Sequence, residues 1–185
     1  MAFSPASDVW KKTIQSTDGP AVKQPVSGQA LEAAFVKMIT EQEALIRKVA
    51  RLFCKDLEER RDLFQEIVFR LWQGFPFYRR EASETTWVYT VALHTARLAH
   101  RSKRIQLVFT DEMREEFHPV APAADPLEQA MEVVYGMRDA DKAILLLLLE
   151  GYLYPEISGI LGIAPNTLRQ RIHRLRNRLK DKITL

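Results

Sequence analysis

The stretch 154-YPEISGILGIAPNTLRQRIHRLRNRL-179 decides the fold, because its apolar residues recur at helical spacing on both sides of one break. Leu168, Ile172, Leu175 and Leu179 stand at i, i+4, i+7 and i+11, which stacks them on one side of a helix facing a core. Ile157, Ile160 and Leu161 give the preceding segment the same spacing. Gly162-Ile163-Ala164 makes the break, and Pro165 takes the favoured first position of the second helix. The pattern is a helix-turn-helix. Opposite the apolar stripe lie Asn166, Gln170, His173, Arg174 and Asn177, flanked by Arg169, Arg171, Arg176 and Arg178. Arg at the rim suits phosphates, and a centre of Asn, Gln and Arg suits base edges in a groove. Residues 165 to 182 hold seven Lys or Arg against Asp181 alone, an imbalance that solubility rarely requires.

Outward from this stretch, the chain of 185 residues is 46% hydrophobic and has room for two small helical domains. Its net charge of +3 hides strong segregation: Val108 to Asp141 carries nine Asp or Glu against two Arg, between basic segments. Apolar runs reach only seven residues, Ala143 to Leu149, whereas a bilayer span needs about 20. Pro5, Asp8, Lys11 and Lys12 interrupt any secretory segment at the start, so a cytoplasmic location is expected. Cys54 is the only cysteine and is read as a buried, inert thiol. The four histidines lack the i, i+4 spacing of a helical metal pair, so neither metal nor cofactor is assigned. Without a Gly-rich phosphate loop, a G-x-S-x-G turn or a carboxylate pair in apolar surroundings, no enzymatic activity is expected.

The expected class is all-α, since no period-two pattern occurs. Residues 1–28 read as a flexible extension in which Trp10 is the one odd feature. A first helix is predicted from about Leu31 to Phe53, with Leu31, Phe35, Met38, Leu45, Val49 and Phe53 inward. A second starts after Asp56, where Asp-x-x-Glu forms a capping box, and runs to Trp72, with Gly74 as its stop. Ser83 caps a third that reaches Lys103 or Arg104, with Trp87, Val91 and Leu98 at the centre of its core side. Asp125-Pro126-Leu127-Glu128 opens a helix ending near Gly136, and another spans Asp139 to Glu150. Domains are thus placed at 29–105 and 125–185, joined by a flexible acidic linker at 106–124.

The third helix carries a second cationic stripe: Thr90, His94, Arg97, Arg101 and Arg104 share one narrow side, and no acidic residue occurs between Trp87 and Arg104. Such a stripe can follow a phosphate backbone. Just before it, Phe75, Phe77 and Tyr78 with Arg79 and Arg80 mix aromatic and cationic groups that can stack on unpaired bases. Phe75 and Phe77 could equally close the core between the second and third helices. Tyr78, with its polar tip, is the aromatic expected to be exposed.

The segments DLFQEIVFRLW at 62–72, TWVYTVA at 86–92 and the helix-turn-helix together resemble bacterial RNA polymerase sigma factors of the extracytoplasmic-function group, over roughly residues 30 to 182. The resemblance implies a two-domain initiation factor. Asp62, Gln65, Glu66 and Arg70 match positions that bind core RNA polymerase. Phe77, Tyr78 and the stripe Thr90, His94, Arg97, Arg101 and Arg104 would engage the start-proximal promoter element as non-template single strand. Asn166, Thr167, Arg169, Gln170, Arg171, His173, Arg174 and Arg178 would read the upstream element as duplex promoter DNA. An anti-sigma factor is a further implied partner, and the acidic linker, with Asp111, Glu112, Glu115 and Glu116, would thread toward the RNA-exit channel. Departures are visible: the family commonly has Asn where this chain has His94, and Arg where it has Thr90 and Leu93. Leu153 and Ala164 replace capping Ser residues at two helix starts. The alternative reading is a free-standing helix-turn-helix regulator that binds duplex DNA without polymerase. A pure protein-interaction bundle is a third, opposed by the cations of the last helix.

Overall fold

The computed structural model describes residues 28–109 and 126–183, with side chains over 28–101 and 130–180. Of the extension read at 1–28, Gly28 opens the first helix; residues 1–27 and the linker acids Asp111, Glu112, Glu115 and Glu116 lie outside the described residues. Those residues form α1 (Gly28–Phe53), α2 (Leu57–Gly74), a 3-10 turn (Phe75–Phe77), α3 (Glu84–Phe109), α4 (Pro126–Tyr135), α5 (Asp139–Leu149), α6 (Tyr154–Leu161) and α7 (Pro165–Ile183). Among them there is no strand, in agreement with the all-α expectation.

Local chemistry sets most boundaries. Asp56 accepts the amides of Glu58 and Glu59 at 2.8 and 3.1 Å, so α2 starts with two of its orphan N–H groups satisfied. Ser83 Oγ accepts from the Thr86 amide at 3.1 Å and fixes the start of α3. Leu153 has no oxygen to cap α6, but the Glu156 carboxylate reaches back to the Leu153 amide at 2.7 Å and supplies the reciprocal half of a capping box. Gly162, at φ 62°, closes α6 in the left-handed region that glycine tolerates, and the Ile163 amide then reaches the Ser158 carbonyl at 3.1 Å. Gly74 differs from the expectation. Its backbone stays right-handed and the chain continues into the 3-10 turn, so conformational freedom is not its role. A Cβ there would sit 3.2 Å from the Trp87 ring, and the small residue permits that approach.

In the N-terminal half, α1, α2 and α3 pack on one another and bury Phe35, Met38, Ile46, Val49, Phe53, Leu63, Ile67, Leu71, Val88 and Ala92. In the C-terminal half, Ala143, Ile144 and Leu147 of α5 and Ile157 and Ile160 of α6 pack with Leu168, Ile172 and Leu175 of α7. The two cores join into one cluster. α4 and α5 lie on α1, while α5 and α6 lie on α3.

This docking corrects the predicted face of α3. Leu98 is exposed and Trp87 and Val91 are half-buried, whereas Tyr89, Leu93 and Ala96 are buried. The helix is covered on two sides, by α1 and α2 and by α5 and α6 of the C-terminal half. Tyr89 meets the Tyr152 ring edge-on at 5.6 Å, and His100 Nδ1 lies 3.0 Å from Asp139. Cys54 is half-buried rather than buried, beside the cleft between α2 and α3.

Candidate nucleic-acid interface

α7 exposes most of the predicted duplex-reading set. Asn166, Thr167, Arg169, Gln170, His173 and Arg174 are all exposed, on the side away from buried Leu168, Ile172 and Leu175. Asn177 Nδ2 lies 3.3 Å from His173 Nε2, and Arg174 Nε donates to the Gln170 carbonyl at 3.3 Å, so the central side chains are partly pre-arranged along the helix. Two members of the set behave differently. Arg178 is held 3.4 Å from Asp141 of α5, and Arg171 is half-buried. Arg176 donates to the Tyr154 hydroxyl at 3.2 Å and ties α7 to α6. Sequence spacing could not show these two tethers, because each depends on how α5 and α6 lie against α7.

The aromatic loop sorts its side chains sharply. Phe75 is half-buried and packs edge-on against Phe35 at 5.3 Å, which closes the core between α1 and α2. Tyr78 stacks on Trp87 at 4.7 Å with 23° between the planes, and its hydroxyl donates to the Ala82 carbonyl at 2.6 Å. Burial, Glu84 and, in the opposite sense, Arg80 leave the Tyr78 pKa above its ordinary value. The exposed aromatic is therefore Phe77, at 63% of its surface, and not Tyr78 as its polar tip suggested. The hydroxyl found a backbone carbonyl inside the loop, which removes the need for water. Arg80, in the loop before α3, adopts φ 59°, a left-handed conformation that costs a non-glycine residue energy.

Along α3 the cationic stripe is graded from buried to open. Thr90 is half-buried with its hydroxyl on the Thr86 carbonyl at 2.9 Å. His94 is half-buried, its Nε2 shielded and without a hydrogen-bond partner. Burial, then Arg97 and Arg70, hold its pKa below the ordinary 6.5, so the ring is neutral at pH 7. Arg97 is half-buried and desolvated; it feels the like charge of Arg171 and the opposite charge of Asp139. Arg101 is exposed, and the side chain of Arg104 lies outside the described ones.

On α2, Asp62, Gln65 and Arg70 are exposed and Glu66 is half-exposed, with Arg70 Nε 2.8 Å from Glu66. Asp62 and Glu66 line a cleft together with Phe53, Leu63, Ala96 and Ala99. Among the described residues no helix is long and apolar enough to cross a membrane.

Two models of known families match the chain. Sigma-70 region 2 matches residues 38–105 and Sigma-70 region 4 matches residues 129–179, the first covering α1 to α3 and the second the helix-turn-helix. The extracytoplasmic-function RNA polymerase sigma factor SigM of Mycobacterium tuberculosis is 23% identical over 150 residues, covering 79% of this chain and 75% of its own. The sigma-E factor of Escherichia coli K12 is 25% identical over 138 residues, covering 66% and 72%. Among solved structures, the sigma factor RpoE in complex with the anti-sigma factor NepR from Bartonella quintana superposes with a TM-score of 0.68 at 18% identity, over 82% of this chain and 98% of that one. CnrH in complex with the cytosolic domain of CnrY gives 0.56 at 16% identity, over 81% and 87%. With both regions present in order and the fold matched across both, the chain belongs to the sigma-70 family, as an RNA polymerase sigma factor of the extracytoplasmic-function group.

Proposed function

We propose that this sigma factor directs core RNA polymerase to promoters by dividing labour among three surfaces. The exposed face of α7, through Asn166, Thr167, Arg169, Gln170, His173 and Arg174, reads the upstream element as duplex. Arg171 and Arg178 join it once released from the neighbours described above. Phe77 supplies a stacking surface for an unpaired base, and Arg97, Arg101 and Arg104 hold the phosphates of the non-template strand. Asp62, Gln65, Glu66 and Arg70 dock α2 on core polymerase. The factor acts as a non-enzymatic adaptor in the cytoplasm, and its fold likeness to anti-sigma-bound factors supports control by an anti-sigma partner.

The single observation that carries this reading is an exposed Phe77 next to a cationic helix in the same chain as an exposed α7 reading face. A duplex-only regulator needs the second and not the first. Run-off transcription with core polymerase on a promoter library tests the proposal: start sites sharing two sequence elements support it, and duplex binding without initiation refutes it.

A further inference from the structure

The cleft between the end of α1, α2 and α3 has a volume of about 360 Å³, and Phe53, Leu63, Ala96 and Ala99 give it an apolar lining. That volume lies in the range of pockets that take a small ligand or one large side chain. Its charged lining is one-sided: Glu59, Asp62 and Glu66 are all acidic, and no Lys or Arg among the described residues joins them. His100, also on the wall, is held by Asp139 at 3.0 Å. Asp62 is exposed, while Glu66 shares its carboxylate with Arg70 at 2.8 Å. Although the whole chain has a net charge of +3, this cleft repels nucleic acid. The group that fits it is a large aromatic side chain next to cations.

Before α1 the chain carries one such segment. Residues 1–27 contain a single Trp, and it stands directly before the only adjacent pair of cations there, as Val9-Trp10-Lys11-Lys12. Its reach is sufficient. α1 has 26 residues and rises about 39 Å from Gly28 to Phe53, whereas the 18 residues from Trp10 to Ser27 can span up to about 60 Å. The cleft lies at the Phe53 end of α1, so a chain that enters the helix at Gly28 can return along it. Being tethered, the segment meets the cleft at an effective concentration on the order of millimolar, enough to populate a contact that exposed charge pairs alone hold weakly.

We propose that this segment is the occupant of the cleft: Trp10 packs on its apolar lining, and Lys11 and Lys12 lie against Asp62 and Glu66. The seated segment covers two of the residues proposed above to dock on core polymerase, so the free factor screens its own α2 face until polymerase displaces the segment. A ligand of the open form then binds with apparent affinity reduced by the fraction that is open. The screening rests on the α2 assignment; the seating rests on the cleft.

Cys54 reports occupancy, because it is the only cysteine in the chain and lines the same cleft. In the full chain, its rate of alkylation by N-ethylmaleimide is followed for the wild type, for Trp10→Ala and for the pair Lys11→Glu, Lys12→Glu. Lys23→Glu serves as the charge control, and none of these positions lies in a described helix. A wild type roughly one-fifth open should react about fivefold more slowly than either cleft variant, and both variants should bind core polymerase about fivefold more tightly. The control should match the wild type. Wild-type alkylation should also quicken with salt, which screens the contacts between Lys and carboxylate. Equal alkylation rates in all four proteins overturn the seating. So does a wild-type rate that falls with protein concentration, since the occupant then comes from a second copy. Faster alkylation at unchanged polymerase affinity overturns the screening, and Asp62→Ala in the same titration separates the causes: normal affinity there refutes the α2 assignment, whereas reduced affinity means that the seated segment leaves Asp62 open.

Discussion

Replacing Phe77 by Ala removes a ring that is 63% exposed and that stacks on no other ring among the described residues, so the folded state should lose well under 1 kcal/mol. If the ring stacks on an unpaired promoter base, its loss should cost about 1 to 3 kcal/mol of open complex, roughly 5- to 150-fold in initiation from duplex templates. Tyr78→Ala provides the contrast. That ring stacks on Trp87 and its hydroxyl donates to Ala82, so the change should destabilise the N-terminal domain by about 1 to 3 kcal/mol, taking a stacked pair and a hydrogen bond together. Thermal unfolding and run-off transcription, on duplex and on a pre-melted bubble, separate the two. Phe77→Ala should leave the melting temperature in place, impair the duplex template and recover on the bubble. Tyr78→Ala should lower the melting temperature as well. Normal initiation by Phe77→Ala on duplex DNA, or an equal defect on both templates, refutes the stacking role.

Gln170→Ala and Arg174→Ala should each weaken upstream duplex binding by about 1 to 3 kcal/mol in anisotropy titrations, with a smaller loss for Arg178→Ala, whose guanidinium already has Asp141. The triple change Asp62→Ala, Gln65→Ala and Glu66→Ala should reduce core polymerase association in pull-down titrations at unchanged circular dichroism, because none of the three is buried; normal core affinity removes that docking face. The His94 ring should titrate below 6.5 by NMR. Since the unfolded chain takes up that proton at higher pH than the folded one, stability should be full above 6.5 and decline as the pH falls from there through the folded value. His94→Asn should flatten that slope in denaturant titrations, and an unaltered slope places the pH dependence elsewhere.

Much of the molecule was legible in the chain because its signals are local. Asp56, Ser83 and Gly162 cap helices through atoms a few residues away, and the stripe from Leu168 to Leu175 buries itself wherever α7 finds a core. The excess of Arg on α7 likewise follows from composition and period alone, as does the exposed reading face opposite that stripe. What the tertiary structure decided involves partners far apart in sequence. Tyr78 met Trp87 and Ala82, which left Phe77 as the open aromatic; Gly74 gives room to the Trp87 ring, and its own dihedrals make no demand for glycine. Leu98 looked like core and Leu93 did not, because a helix covered on one side was assumed where α3 is covered on two. The docking of the halves, through Glu150, Asp139 and the buried Lys142, has no period and no motif: charge pairs separated by tens of residues gain meaning only after folding brings them within hydrogen-bond reach. Periodicity states which side of a helix is apolar, but not how many neighbours will cover it, and that number set which cations remain open to DNA.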